Sequence, residues 1–344
     1  MKNRTARMTR VLLVLGIFAS VSSGCSASST SGHAHLTVYN GQHLQTAAAL
    51  VTAFEQSTGI SVTLRTADEA VLANQLKIEG ARSHADVFIA GNSPALETVA
   101  NESLLTRLPD AILSKVPRSA SSPAGRWVGV TARVSVLAYS RTSLKTSQLP
   151  SSILDLAKPR WRGKIGLAPS ESDFQPIVAS VERSIGPKRT LAWLEGLKAN
   201  AGSHLYPSNE SMLAAINRGD IEIGVLEQYY WYRMVAQVGA RNITSALATF
   251  HAGDAGYVLS ISGAGVLASS HHKSAADRFV AFMVSPRGQA IIAHSGSFEY
   301  PLASGVATPA GEPTFDSLHP APLTIADLGD GSSALDLLRK AQLL

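Results

Sequence analysis

The chain has 344 residues, of which 45% are hydrophobic and 16% are charged, a composition typical of a well-packed globular protein. Its 30 Lys and Arg exceed its 25 Asp and Glu, but four of the basic residues lie within the first ten, and the remainder is nearly balanced at 26 to 25. That remainder has no basic cluster with interleaved aromatic residues, which excludes nucleic-acid binding. The roughly 310 residues that follow the N-terminal segment are too many for one compact core and suit two domains.

The N-terminus is typical of an export signal. The early basic residues precede the apolar run VLLVLGIFASV, which has the length of a signal core and is too short to span a membrane. We predict a signal peptide over residues 1–24. Cys25, the sole cysteine, follows the small residues SSG and so resembles the lipidated cysteine of a bacterial lipobox; an ordinary signal with an incidental cysteine is the alternative. Residues 25–34 then form a lipidated, flexible tether, on the outer face of the cytoplasmic membrane or in the periplasm.

Beyond the tether, short apolar strands alternate with amphipathic helices. In chain order the sequence predicts a strand at 36–40, a helix ending at Gly59, a strand at 60–66, a helix at 69–79, a strand at 85–91, a helix with Ser93 as N-cap and Pro94 as its first residue, an extended segment at 127–140, a strand at 163–169, a helix from Asp173, a helix at 208–219, a strand at 221–228, a helix at 229–239, an extended segment at 259–269 and one long helix at 274–296. This alternation predicts α/β layers with mainly parallel strands, and ligands in such folds bind beyond the carboxyl ends of the strands.

Catalytic motifs are absent from the sequence, which contains no HExxH, GxSxG, Walker loop, GxGxxG or paired CxxC. His33, His35 and the pair His271-His272 are interpreted as solvated residues. We therefore predict that the protein is not an enzyme, with a hydrolase or other cleft enzyme as the remote alternative.

Two strand-to-helix junctions carry chemistry. His43 follows the first strand, and Tyr229 and Tyr230 follow the strand that ends in LEQ. Neighbouring side chains diverge by about 100° on a helix, but at a strand-to-helix turn they can converge, and the helix N-terminus favours their phenolate forms. Two phenols with pKa about 10 lose their protons near neutral pH only to a strongly polarising cation, and phenolate oxygen suits trivalent iron. A buried aromatic cluster with a capping or buried histidine is the alternative.

The mature sequence resembles the bacterial ferric-ion-binding proteins throughout its length. The matching stretches are LTVYNGQH at 36–43, QLKIEGARSHADVF at 75–88, SPAL at 93–96, KPRWRGKIGLAPS at 158–170, LEQYYW at 226–231, SGAGVLASS at 262–270, FVAFMVSPRGQ at 279–289 and EYPL at 299–302. The resemblance implies a type II periplasmic-binding-protein fold, with two α/β lobes joined by crossing hinge strands and Fe(III) as cargo in the cleft. It further implies a monomer that delivers iron to an ABC permease and its ATPase, with His43, Tyr229 and Tyr230 as metal ligands.

The sequence departs from the family pattern at one ligand. Many members have a glutamate soon after the ADVF strand, where this chain has Gly91. Because Fe³⁺ bound by two phenolates and a neutral imidazole still carries a charge of +1, we predict that a carboxylate replaces the lost glutamate or an anion. The candidates are Glu227, Glu171 and Asp173. Glu227 is favoured because it lies two residues before the tyrosines, and a solvated carboxylate is the alternative for each.

The synergistic anion of the family is the second departure. Many members hold phosphate at a small-residue helix N-terminus with two asparagines, whereas the matching helix start here reads Glu171-Ser172-Asp173 and would repel an anion. Asn209 keeps one asparagine position, and Arg133 lies where some relatives use an arginine near the anion. Arg133, Ser172 and Asn209 are the candidate ligands if phosphate or carbonate binds.

The lobes follow from the extended segments. We predict an N-terminal lobe from residues 35–133 and 259–311, and a C-terminal lobe from residues 134–258 and 312–344. Iron bound by ligands from both lobes favours the closed form. The alternative function is the same fold binding another solute, such as a small organic anion, a cationic vitamin or a phosphonate.

Overall fold

The computed structural model describes residues 35–303, 305–308 and 311–344. The predicted signal peptide, Cys25, His33 and the tether lie outside the described residues. Within those residues, no helix combines the length and the hydrophobicity needed to cross a bilayer.

In the part of the chain that the structure describes, eight strands form the central sheet: β1 His35–Gly41, β2 Ser61–Thr66, β3 Val87–Ala90, β4 Val128–Ser140, β5 Ile223–Glu227, β6 Ser245–Ala248, β7 Leu259–Val266 and β8 Tyr300–Pro301. The main order is β2-β1-β3-β7-β4-β5, and β6 and β8 also pair with β4. Only the pairs of β1 with β2 and with β3 are parallel among the named strands; the other pairs are antiparallel. The prediction of mainly parallel strands was therefore wrong. The reason is that the chain leaves the first part of the sheet along β4 and returns along β7, so these two neighbours run in opposite directions.

Strand β4 takes part in both halves of the sheet. Its residues up to Val134 pair with β7 and β8, and its residues from Ser135 pair with β5 and β6. All 13 residues of β4 are buried, as its continuous apolar pattern predicts. The change of partners falls beside the predicted lobe boundary at 133/134; the lobe boundaries themselves stay a prediction.

Twelve α-helices cover the sheet among the described residues: α1 Leu44–Thr58, α2 Glu69–Glu79, α3 Ser93–Asn101, α4 Asp110–Leu113, α5 Phe174–Ile185, α6 Pro187–Ala201, α7 Asn209–Arg218, α8 Gln228–Val238, α9 Lys273–Met283, α10 Pro286–His294, α11 Ile325–Leu328 and α12 Ser332–Lys340. Helix α1 ends as predicted at Gly59, which takes the left-handed conformation with φ 71° that glycine adopts at low cost. The sheet and the helices meet in one apolar core, where Phe54 of α1 packs edge-on against Phe279 of α9.

Three local predictions need correction. The N-cap of α3 is the extended residue Asn92, so that Ser93 is already helical. The long helix predicted at 274–296 is two helices, because Pro286 cannot donate a backbone hydrogen bond and starts α10 after the Ser285 cap. The strand predicted at 163–169 makes only isolated bridges, at Ile165 and Leu167.

Candidate metal centre

The predicted metal ligands border one cavity of about 200 Å³. It lies where β1, β3 and β5 end and where β4 passes, as expected for ligand sites at the carboxyl ends of strands. Its walls are formed by Gly41, Gln42, His43, Glu69, Gly91, Asn92, Arg133, Glu171, Ser172, Asp173, Tyr229 and Tyr230. The structure therefore brings His43 to the tyrosine pair from 186 residues or more away in sequence, together with two of the three candidate carboxylates.

Tyr229 and Tyr230 converge rather than diverge. They are the second and third residues of α8, their rings stack with centroids 4.1 Å apart, and both are buried. Both hydroxyls donate to the same oxygen, Oδ2 of Asp173, at 3.3 Å from Tyr229 and 2.9 Å from Tyr230. Two phenol oxygens that share one acceptor are close enough to bind one cation together.

His43 completes the group from the other side of the cavity. It precedes α1, and its backbone N–H donates to the side chain of Gln42 at 2.6 Å. Its ring meets the Tyr229 ring edge-on at 5.0 Å, and Nδ1 lies 3.4 Å from Oε2 of Glu299. A carboxylate on one ring nitrogen fixes the orientation of a histidine and leaves the other nitrogen for a metal. Sequence reasoning missed Glu299, which is buried; the EYPL stretch contained it, but nothing local indicated its contact with His43.

Arg133 is a buried cation between two carboxylates. Its Nη1 donates to Oε1 of Glu299 at 2.9 Å, and its Nη2 donates to Oδ1 of Asp173 at 3.0 Å. Only 2% of Arg133 is exposed. Burial by itself would raise the pKa of Glu299, but His43 and Arg133 lower this pKa to about 2, so Glu299 stays ionised. Both terminal nitrogens of Arg133 therefore already have carboxylate partners, whereas its buried Nε has no hydrogen-bond partner among the described residues.

Asp173 is the residue that connects these groups. It lies just before α5, is 5% exposed, and accepts hydrogen bonds from Tyr229, Tyr230 and Arg133, and from Nδ2 of Asn92 at 3.2 Å. A carboxylate that accepts from four donors in the wall of the cavity is held in one position. Of the three candidate carboxylates, this one touches the tyrosine hydroxyls.

Glu227 and Glu171 make other contacts. Glu227, two residues before the tyrosine pair as predicted, borders a smaller neighbouring cavity with Asn209; its Oε1 accepts from Ser260 at 2.9 Å, and its Oε2 has no partner among the described residues. Glu171 borders the main cavity and accepts the backbone N–H of Asn209 at 3.1 Å. Ser172 accepts from Asn92 at 3.3 Å.

The titration of the site depends on its burial. Burial, followed by the charge of Asp173, raises the pKa of both Tyr229 and Tyr230 well above the ordinary value of 10. Both phenols are therefore protonated at neutral pH without a cation. Burial likewise raises the pKa of Glu69 and Glu171 to about 7 and that of Glu227, which also feels Asp173, to about 8.

The raised glutamate pKa values predict that the metal-free protein loses stability as pH rises from about 5 to 8. The folded state binds protons that the unfolded state has already released, so the stabilisation is complete below the ordinary pKa of 4.5 and is lost as pH passes about 8. Glu227→Gln removes one such group, and its unfolding free energy should fall less steeply than that of the wild type, by up to about 1.4 kcal/mol per pH unit. Urea denaturation at several pH values measures this slope.

The exposed Glu102→Gln, whose side chain is 51% exposed, is the matched control and should keep the wild-type slope. A Glu227→Gln variant that also keeps the wild-type slope would contradict the assignment of this glutamate.

Among the residues that the structure describes, no group of three His, Cys, Asp or Glu side chains is arranged to hold a metal. The cavity is also lined by Tyr229 and Tyr230, whose hydroxyl oxygens are additional donor atoms for a cation.

Known proteins share both the sequence and the fold. The chain matches the family described as "Bacterial extracellular solute-binding protein" over residues 82–322. It is 39% identical to the Fe(3+)-binding periplasmic protein of Serratia marcescens over 282 residues, which cover 82% of this chain and 83% of that protein. It is 33% identical to the major ferric iron-binding protein of Neisseria meningitidis over 314 residues, which cover 91% of this chain and 94% of that protein.

The fold agrees with solved structures. Iron-bound HitA from Pseudomonas aeruginosa, 39% identical, superposes with a TM-score of 0.85 over 90% of this chain and 99% of HitA. Apo ferric-ion-binding protein A from Pasteurella haemolytica gives a TM-score of 0.80 over 90% of this chain and 98% of that protein. The predicted type II periplasmic-binding-protein fold is confirmed. The chain belongs to the family of bacterial extracellular solute-binding proteins.

Proposed function

We propose that the protein binds Fe(III) outside the cytoplasm and delivers it to an ABC permease. One observation carries the proposal: the hydroxyls of Tyr229 and Tyr230 meet at a single oxygen of Asp173, with His43 beside them. Paired phenol oxygens, a carboxylate and an imidazole form a hard donor set that suits a trivalent cation better than zinc, calcium or magnesium. Relatives named as ferric-iron-binding proteins at 33–39% identity support this cargo over a different solute.

The family membership also bears on the class of protein. Its relatives are named as binding proteins, and the prediction that the chain is not an enzyme is confirmed. A solute-binding protein of this family works with an ABC permease, which is the partner that we infer; its ATPase follows from the same transport chemistry. A monomer, the lipid anchor at Cys25 and the position on the outer face of the membrane are part of the proposal.

Asp173 supplies the carboxylate that the charge of Fe³⁺ requires. It already bonds both hydroxyls, so a cation that displaces the two phenol protons meets three anionic oxygens within one cavity. This contact favours Asp173 over Glu227, whose carboxyl group bonds Ser260 instead, and over Glu171, which bonds the backbone of Asn209. Asp173 also accepts a hydrogen bond from Nη2 of Arg133. We infer that this aspartate replaces the synergistic phosphate or carbonate, because an added anion would compete with it for the same donors.

Titration with Fe(III) in buffer free of phosphate, carbonate and citrate tests this proposal. We expect the apo protein to develop phenolate-to-iron colour at one iron per chain without any added anion. Its binding should weaken as pH falls, because protons compete with the cation for the tyrosine oxygens. Colour that appears only after phosphate or carbonate is supplied would contradict the role of Asp173, and a protein that stays colourless with every anion would contradict iron binding.

A further inference from the structure

A second buried carboxylate borders the cavity and has no cationic partner. Glu69 is the first residue of α2, is 5% exposed and lines the same cavity as His43 and Asp173. Its carboxylate accepts the backbone N–H of Asn92 at 2.8 Å and Nδ2 of Asn92 at 3.0 Å, both from uncharged groups. No lysine, arginine or histidine lies within ion-pair distance of Glu69 among the described residues. A buried ionised carboxylate is normally paired with a cation or bound to a metal; Glu69 has neither, and its burial raises its pKa to about 7.

The helix does not explain this glutamate. Asp68 is the N-cap of α2 and accepts from the backbone N–H groups of Ala70 and Val71. Asp68 therefore already provides the side-chain cap for the backbone N–H groups at the start of α2. Arg133, the nearest cation in the cavity, is engaged by Asp173 and Glu299. Neither capping nor charge balance accounts for the burial of Glu69.

Two glycines make room for Glu69. A Cβ at Gly41 would lie 2.6 Å from Cβ of Glu69, and a Cβ at Gly91 would lie 3.1 Å from its Oε2. Neither glycine has a positive φ, so the backbone conformation does not require glycine at these positions. The limited space requires glycine instead, because any side chain at Gly41 would overlap Cβ of Glu69 and a side chain at Gly91 would crowd its carboxylate.

An orphaned oxygen at the same place also indicates a cation. Asn92 is 2% exposed and lines the cavity, and its Oδ1 has no hydrogen-bond partner among the described residues. Its Nδ2 bridges Oε1 of Glu69 and Oδ1 of Asp173, so both carboxylates lie around one amide group. Buried polar oxygens are rarely left without a donor or a cation.

We propose that Glu69 is a further carboxylate ligand of the bound cation, reaching the site from α2 through the space left by Gly41 and Gly91. This inference rests on the proposed iron function. The second carboxylate then lies beside Gly91 and comes from the segment that follows β2, whereas Asp173 comes from the segment before α5. Iron in this site would bring His43, Asp173 and Glu69, which among the described residues are not already arranged as a three-residue metal site, into contact with one ion together with the two phenolates.

The test compares Glu69→Gln with Glu79→Gln. Glu79 lies at the other end of α2 and bonds Tyr39, Gln75 and Ser83 away from the cavity. Fe(III) is titrated in anion-free buffer and then against a competing chelator. We expect Glu69→Gln to weaken binding by more than about 100-fold, beyond the range for groups that only support a ligand. Its charge-transfer band should move to longer wavelength, because iron that has lost an anionic ligand accepts phenolate electrons more readily. Glu79→Gln should match the wild type in both readouts.

A second variant separates a ligand from a residue that only positions Asn92. In Glu69→Ala/Gly91→Glu, the carboxylate enters the same space from the end of β3, and we expect affinity and band position to return toward wild type. If Glu69→Gln behaves as the wild type, or if its affinity falls while the band stays in place and the double variant gives no recovery, the ligand assignment is wrong. A wild type without colour would instead overturn the proposed iron function.

Discussion

Tyr229→Phe and Tyr230→Phe are each expected to remove most of the visible absorbance of the iron-loaded protein. Each change deletes one phenol oxygen while the ring can keep its stacking against the neighbouring tyrosine, whose centroid lies 4.1 Å away. The colour arises from phenolate-to-iron charge transfer, so it depends directly on these oxygens. The affinity for Fe(III) should fall by more than about 100-fold, beyond the range for groups that only support a ligand. Spectrophotometric titration against a competing chelator measures both quantities.

Tyr232→Phe is the matched control, since it removes a hydroxyl from the same helix. Tyr232 stacks on Phe298 and borders a different cavity, with Val134 and Tyr300. It should retain both the colour and the affinity of the wild type. An equal loss of absorbance in all three variants would contradict the assignment of the metal centre to Tyr229 and Tyr230.

Arg133→Met should destabilise the metal-free protein by about 3–5 kcal/mol, the range for breaking a buried ion pair by removing one partner. The methionine fills much of the same volume, but it leaves Asp173 and Glu299 as neighbouring buried carboxylates without their cation. A buried charge without a partner destabilises the fold, and in this variant two buried negative charges would also repel each other. Urea denaturation at neutral pH, with the slope of the transition checked for constancy, gives the difference in unfolding free energy.

Arg107→Met provides the comparison on the surface. Arg107 pairs with Asp110 at 2.6 Å, but both side chains are more than half exposed, and such pairs contribute at most about 1 kcal/mol. A loss from Arg133→Met no larger than that from Arg107→Met would mean that the two buried carboxylates do not depend on this arginine.

The sequence predicted the local parts of the fold well. The helix over 69–79 and the extended segments at 127–140 and 259–269 lie where hydrophobic pattern and glycine positions place them. The pattern misjudged strand direction, because parallel and antiparallel neighbours look alike in a fully buried strand. It also joined α9 to α10, because the apolar periodicity continues across Pro286 and outweighed the effect of proline on the backbone.

The candidate site was only partly accessible from the sequence. His43, Tyr229 and Tyr230 stand at strand-to-helix junctions and carry distinctive chemistry, so their meeting was predictable. The choice among the carboxylates was not, since proximity to the tyrosines in sequence favoured Glu227, whereas the contacts favour Asp173. Glu227, the last residue of β5, bonds Ser260, whereas Asp173, which lies 54 residues earlier at the start of α5, bonds both tyrosine hydroxyls.

Glu69, Asn92 and Glu299 were missed for a related reason. Each is an ordinary polar residue in its local segment, and its role follows from contacts with residues that are distant in sequence. The available signal was indirect: the sequence predicts a turn at Asn40-Gly41, but neither Gly41 nor Gly91 has a positive φ, and both mark a place where another group needs space. That signal becomes readable once it is known which side chain approaches them.

The shared strand β4 also bears on how the protein comes apart. Its first half is hydrogen-bonded to β7 and its second half to β5. If either half of the sheet unfolds, β4 loses one set of backbone hydrogen-bond partners, although the other half of the sheet still depends on this buried strand. Unfolding of one half of the sheet therefore lowers the stability of the other half. Such a connection favours a single cooperative transition over stepwise loss of the two halves, and it lets cargo held beside Arg133 protect the entire molecule against heat and proteolysis.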